Sequence, residues 1–255
     1  MCLILFALNA HPQYSLVLAG NRDEFYERPT KRAHFWQEHP HILAGKDLKA
    51  GGTWMGISKL GRFSAVTNFR ELPLEPDKEK SRGVLPLDFL ANGYDPQQYL
   101  TEKSREDKLF APYNVLVGNS RELFYYSNKV ENISKIDSGV HGLSNHLLNT
   151  NWPKVQKGKA DLATWIDNAN SKPEELFEIL SNKSLAADHL LPNTGVEKDW
   201  ERKLSAMFIE SPEYGTRMTT VLLVSRTGKV SYIEREFSNG SSEYDEQAFH
   251  WTIES

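Results

Sequence analysis

The chain of 255 residues contains one cysteine, Cys2. That scarcity excludes an intramolecular disulfide and any cysteine-rich zinc site, and it fits a reducing compartment, the cytoplasm. Charge of one sign is also lacking: 30 Lys and Arg stand against 34 Asp and Glu, a net charge of −4. Neither a nucleic-acid footprint nor a polybasic membrane patch follows from that balance. Long hydrophobic runs are missing. The longest, residues 3–8, is far short of the ~20 residues a spanning helix needs, so no membrane span is expected. The start lacks the basic segment and small-residue cleavage site of a secretory signal. Repeats, low-complexity tracts and linkers are absent. Gly51-Gly52 reads as a turn and no phosphate-cradling motif occurs. Neither metal nor cofactor is expected, and the oligomeric state is left open.

What is present is an ordinary core-forming composition, 39% hydrophobic and 25% charged. Residues 3–10 and 14–19 read as two strands around the turn His11-Pro12-Gln13, a hairpin. The polar cluster Gly20-Asn21-Arg22-Asp23-Glu24-Phe25 follows as a strand end, and antiparallel pairing returns residues 21–23 to Cys2. A Pro-, His- and charge-rich loop is expected over 27–40. Strands are expected over 41–44, 52–57 and 62–69, and a surface loop over 72–80. Two helices follow, over 84–91 and 96–104. Residues 113–118 and 123–127 form a hairpin, with short strands over 133–137 and 140–144. Helices cover 152–168, 172–181 and 200–208, and strands 215–225, 230–237 and 249–253 close the chain. One α+β domain spanning 1–255, with two packed antiparallel sheets and helices outside, is the expected architecture.

Position 2 matters for chemistry. A small residue there permits removal of Met1, and Cys2 would then carry a thiol and a free α-amine. An α-amine titrates near ~8, low enough to accept the thiol proton, so nucleophile and base share one residue. The plainer reading of Cys2 is a small buried hydrophobe.

Three strand ends carry Asn or Asp: Asn21/Asp23, Asn68 and Asn145. With the N-terminal cysteine strand this resembles an N-terminal-nucleophile (Ntn) hydrolase. Asn21-Arg22-Asp23-Glu24 resembles the signature of the NRDE family, also called Transport and Golgi organisation 2-like. Gly51-Gly52-Thr53-Trp54-Met55-Gly56, Thr67-Asn68-Phe69-Arg70, Gly142-Leu143-Ser144-Asn145 and Tyr214-Gly215-Thr216-Arg217 fit it too, along the whole chain. The resemblance implies a four-layer αββα sandwich. It also implies a distant likeness to cysteine amidases acting on penicillin V and conjugated bile acids. In those, an Asp after the second strand holds the α-amine and two Asn positions form the oxyanion site; Asp23, Asn68 and Asn145 match them. One departure stands out. The amidases carry an Arg where this chain has Gly20. Arg22 lies between Asn21 and Asp23, and alternation points it to the other side from both.

The first functional reading is hydrolysis of an amide or related acyl bond of a small molecule. Cys2 attacks, Asp23 tunes the amine, and Asn68 and Asn145 donate to the oxyanion or else form Asx turns. Arg22 pairs with a substrate carboxylate or holds the thiolate, or makes a structural ion pair with Asp23 or Glu24. Trp54 and Phe69 line an acyl pocket or pack in the core. Arg217 binds substrate or serves as a structural bridge. The second reading is a non-catalytic carrier for a hydrophobic small molecule, with haem as the candidate that the family resemblance implies; the third is an interaction module.

Overall fold

The computed structural model describes residues 2–72, 78–238 and 240–254. The chain opens on the hairpin β1 (Cys2–Leu8) and β2 (Tyr14–Phe25), followed by β3 (Thr30–Phe35), β4 (Ile42–Asp47), β5 (Met55–Ser58) and β6 (Arg62–Asn68). Helices α1 (Val84–Ala91) and α2 (Pro96–Ser104) lead to β7 (Tyr113–Asn119), β8 (Leu123–Ser127), β9 (Ser134–Lys135) and β10 (Gly139–Leu143). Then come α3 (Pro153–Asp167), α4 (Pro173–Leu180), α5 (Lys198–Leu204) and the strands β11 (Tyr214–Ser225), β12 (Lys229–Phe237) and β13 (Tyr244–Thr252).

The strands form two antiparallel sheets. One is ordered β10-β1-β2-β11-β12-β13, the other β3-β4-β5-β6-β7-β8-β9. Strand β1 shows why they stack. It is apolar on both faces, as a strand covered on both sides must be. Leu3, Leu5 and Ala7 pack under α3 and α4 with Trp165, Leu162 and Phe177. Ile4, Phe6 and Leu8 turn the other way, toward Met55, Phe63 and Leu116 of the second sheet. On the far side of that sheet, Val115 and Val117 meet Leu85, Phe89 and Leu100 of α1 and α2. The layers are helix, sheet, sheet, helix: the expected αββα sandwich. Among the described residues no helix is long and apolar enough to cross a membrane.

Four expectations are corrected. Residues 20–25 are not a strand end. They continue β2, because β11 pairs along its whole length, from Tyr214 opposite Phe25 to Ser225 opposite Tyr14. The loop expected over 27–40 contains β3, an edge strand with little apolar alternation. It is held from outside its own ladder, where Glu234 of β12 accepts the Ala33 N–H at 2.7 Å. The last strand, expected over 249–253, starts earlier: β13 begins at Tyr244 and pairs along β12. Helix α5 ends at Leu204 rather than 208, since the next turn is used elsewhere: the carbonyl of Met207 accepts from Asn21 at 2.8 Å. Of the surface loop expected over 72–80, residues 73–77 lie outside the described residues.

Candidate active site

Cys2 begins β1 and lies directly across the ladder from Arg22. Paired residues of an antiparallel ladder share a face. Here it is the face between the sheets, shared with Ile4 and Phe6. A cavity of about 120 Å³ sits at this end of the interface, lined by Cys2, Arg22, Asp23, Glu24, Trp54, Asn68 and Arg82, among others. The indole of Trp54 lies 3.3 Å from where a Cβ on Gly20 would stand. It therefore closes over Gly20 and leaves no room there for a larger side chain.

The two sheets are tied together at Cys2 by the segment after β10. Ser144 Oγ donates to the Cys2 carbonyl at 3.1 Å. The Ser144 carbonyl in turn accepts from Thr67 Oγ1 of β6 at 2.7 Å. The next residue, Asn145, donates through Nδ2 to the Asn68 carbonyl at 3.0 Å and accepts the Arg70 N–H at 2.7 Å. Cys2 and Asn68 come from different sheets, and this strap sets their spacing. The Asn68 side-chain amide makes no hydrogen bond among the described residues and faces the cavity.

Asp23 is buried, and its Oδ1 accepts from Thr216 Oγ1 at 2.7 Å. Burial pushes its carboxyl above the usual range, and the strongest opposing influence is the cation of Lys154. Lys154, near the start of α3, is itself buried. Burial brings it down to about 8 while Asp23 pulls it back up. The two charges sustain each other in a dry site. The Cys2 thiol is pushed up, chiefly by burial and in part by the negative charge of Asp23, while the N-terminal amine and, more weakly, Arg22 act the other way. An alkylation profile of Cys2 should therefore have its midpoint above that of an exposed cysteine. Asp23→Asn removes one raising charge, so the midpoint should move to lower pH. A midpoint that stays or rises in the variant would show that Asp23 does not act on Sγ.

The structure gathers Cys2, Arg22, Asp23, Trp54 and Asn68 on the cavity wall. Asn145, Phe69 and Arg217 are not on it. Asn145 stands behind Asn68 as its brace. Phe69 packs against His146 with the rings tilted, centroids 4.7 Å apart. Arg217 is the extra residue of a β-bulge between Thr216 and Met218. Its guanidinium reaches the carbonyls of Phe25 and Arg28, which is the bridge role. Alternation holds at Arg22: Asn21 turns to the helix side, donating to the carbonyls of Leu180 and Met207, while Arg22 takes the Cys2 side.

Several residues went unnoticed in the sequence. Thr216 sits beside Arg217 in the Tyr214-Gly215-Thr216-Arg217 motif, but the bulged register that sets it opposite Asp23 has no mark in the sequence. Ser144 lies next to Asn145 in another. Nothing in the sequence marks Lys154 or Arg82, which reach the site from a helix and a loop. Among the described residues no cluster of three or more His, Cys, Asp or Glu side chains converges on a point.

Fold and cavity define a class: this is the Ntn-hydrolase fold. A mutant of the conjugated bile acid hydrolase from Clostridium perfringens shares it at a TM-score of 0.55 with 9% identity, over 100% of this chain and 97% of that one. The Caenorhabditis elegans N-acylethanolamine-hydrolyzing acid amidase ortholog shares it at 0.51 with 12% identity, over 87% and 92%. At such identities the likeness is one of fold. The chain belongs to the Transport and Golgi organisation 2 family, matched over residues 1–239. The Mus musculus homolog is 33% identical over the full length of both chains. The Drosophila melanogaster protein is 27% identical over 92% of this chain and 91% of its own.

Proposed function

We propose that this protein is an N-terminal-cysteine hydrolase acting on an amide, or a related acyl bond, of a small molecule. One observation carries the reading: the sole thiol, at chain position two, lies on the wall of a cavity shared with Asp23 and an uncommitted Asn68 amide. The two fold neighbours are named as a hydrolase of conjugated bile acids and an amidase; only acyl hydrolysis is carried over, not their substrates.

After loss of Met1 the Cys2 α-amine accepts the thiol proton, and Sγ forms a bond to the carbonyl carbon. The oxyanion is met by the Asn68 side-chain N–H, a donor worth ~2.7–4 kcal/mol in comparable sites. As the C–N bond breaks, the ammonium returns its proton to the leaving amine. Water, deprotonated by the same amine, then opens the thioester to release the acid. Asp23 holds the ammonium form in this cycle, and Asn145 positions Asn68.

The test is a screen of small acyl amides and thioesters on protein of measured intact mass. The expected mass is lower by one methionine, and substrate should leave a transient acyl adduct on Cys2. Retention of Met1 in protein purified from cells would sink the amine mechanism. No observation favours a carrier for haem at this site. The cavity of about 120 Å³ is well under the ~300–1,000 Å³ of pockets that enclose larger ligands, and its walls are charged.

A further inference from the structure

The reaction above gives Arg22 no task, yet Arg22 is built into the cavity. Its side chain is 7% exposed, and its Nη1 has no hydrogen-bond partner among the described residues. Its Nη2 lies 3.8 Å from Glu24 Oε2, beyond hydrogen-bond range. The other cations of the wall are engaged. Arg28 donates to Asp47 at 2.7 Å, Lys46 to Glu38 at 3.0 Å, and Arg82 to the Pro112 carbonyl at 3.1 Å. A buried donor with an idle charged N–H is costly unless something accepts from it. The acceptor that suits a guanidinium is a planar anion. Glu24 and Asp47 on the same wall limit that anion to a single charge. The cavity is also small, about 120 Å³, near the ~150 Å³ of a cavity that holds benzene, which favours a small anion. A carboxylate meets both limits. Position follows from the ladder, because side chains paired as Cys2 and Arg22 are have Cβ atoms ~4.5–5.5 Å apart.

We infer that Arg22 selects the substrate, and that the substrate is a small amide bearing one carboxylate two or three bonds from its scissile carbonyl. The inference rests on the hydrolase reading for the bond that breaks, but the charge selection does not require turnover. The carboxylate can belong to the acyl half, as in succinamate, or to the amine half, as in N-acetylglycine.

Alkylation tests this without any hydrolysis, since Cys2 is the sole cysteine. Iodoacetate and iodoacetamide are near-isosteres that differ in charge. The ratio of their rates at Cys2, iodoacetate over iodoacetamide, should fall about tenfold in Arg22→Met and recover in part in Arg22→Lys. In the wild type, succinamate or N-acetylglycine should protect Cys2 from iodoacetamide, and the one that protects names the half carrying the charge. The neutral analogues succinamide and N-acetylglycinamide should not protect. If Arg22→Met fails to fold, the protection comparison on wild type decides alone. An unchanged ratio, equal protection by neutral analogues, protection by inorganic phosphate only, or no reaction of Cys2 with either reagent would overturn the inference. The two readings fail separately. Charge selection without hydrolysis of any amide defeats the hydrolase and leaves the anion site; equal hydrolysis of charged and neutral amides defeats the anion site and leaves the hydrolase.

Discussion

Cys2→Ala is expected to abolish hydrolysis, lowering turnover on the order of 10³-fold or more, while the chain keeps its fold. Alanine is small, so Met1 removal and the α-amine are retained; only the attacking sulfur is lost. The side chain is 7% exposed, and deleting one sulfur at the rim of a cavity costs about 1 kcal/mol. For a chain of this size that lowers the melting temperature by ~2–4 °C. Activity and stability are thus predicted to separate cleanly. Turnover within tenfold of wild type, on any substrate the wild type hydrolyses, would remove Cys2 from the reaction. A collapse in melting temperature would instead make Cys2 a core residue, the plainer reading of a lone cysteine.

The second large effect is on stability. Arg70 and Glu201 form an ion pair at 2.9 Å with side chains 7% and 4% exposed. Glu201 also accepts from the Thr194 N–H and hydroxyl, and the Arg70 guanidinium lies 4.6 Å from the centre of the Trp152 ring. The pair joins the segment after β6 to α5 and to the start of α3. The Arg70 N–H also holds Asn145, and Asn145 holds Asn68. Arg70→Met should cost ~3–5 kcal/mol, because the carboxylate stays buried without its cation. That corresponds to a drop of ~6–20 °C in melting temperature. Arg70→Met with Glu201→Leu should recover much of the loss, since both charges then leave together. A single variant that melts within ~2 °C of wild type would show that the pair does not brace the site.

Much of this is legible in the sequence. Residues 3–10 and 14–19 announce a hairpin through apolar runs on either side of a turn. That hairpin alone puts Arg22 near Cys2. Asn68 and Asn145 were singled out by their motifs. The errors share a cause. The extent of β2 past Gly20, strand β3 and the early start of β13 are all decided by pairing partners outside the segment itself. Polar residues such as Asn21 and Glu24 look like a strand end when only the strand itself is read. In the folded chain they are ladder positions: Asn21 donates to carbonyls of the helix side, and Glu24 accepts the Phe25 N–H beside the cations of Arg22 and Arg28.

The sequence by itself determined the layers and the chemical inventory. Local apolar periodicity specifies which faces must be covered, and a lone cysteine at position two needs no partner to be noticed. Only the tertiary structure decided what that inventory does. A bulge at Arg217 turned Thr216 toward Asp23, a strap from β10 put Asn145 behind Asn68, and a buried lysine from α3 kept company with Asp23. The register of β1 on β2 left Arg22 facing the thiol with one N–H unspent. Register, bulges and burial are properties of pairs of segments, so they cannot be read from either segment alone.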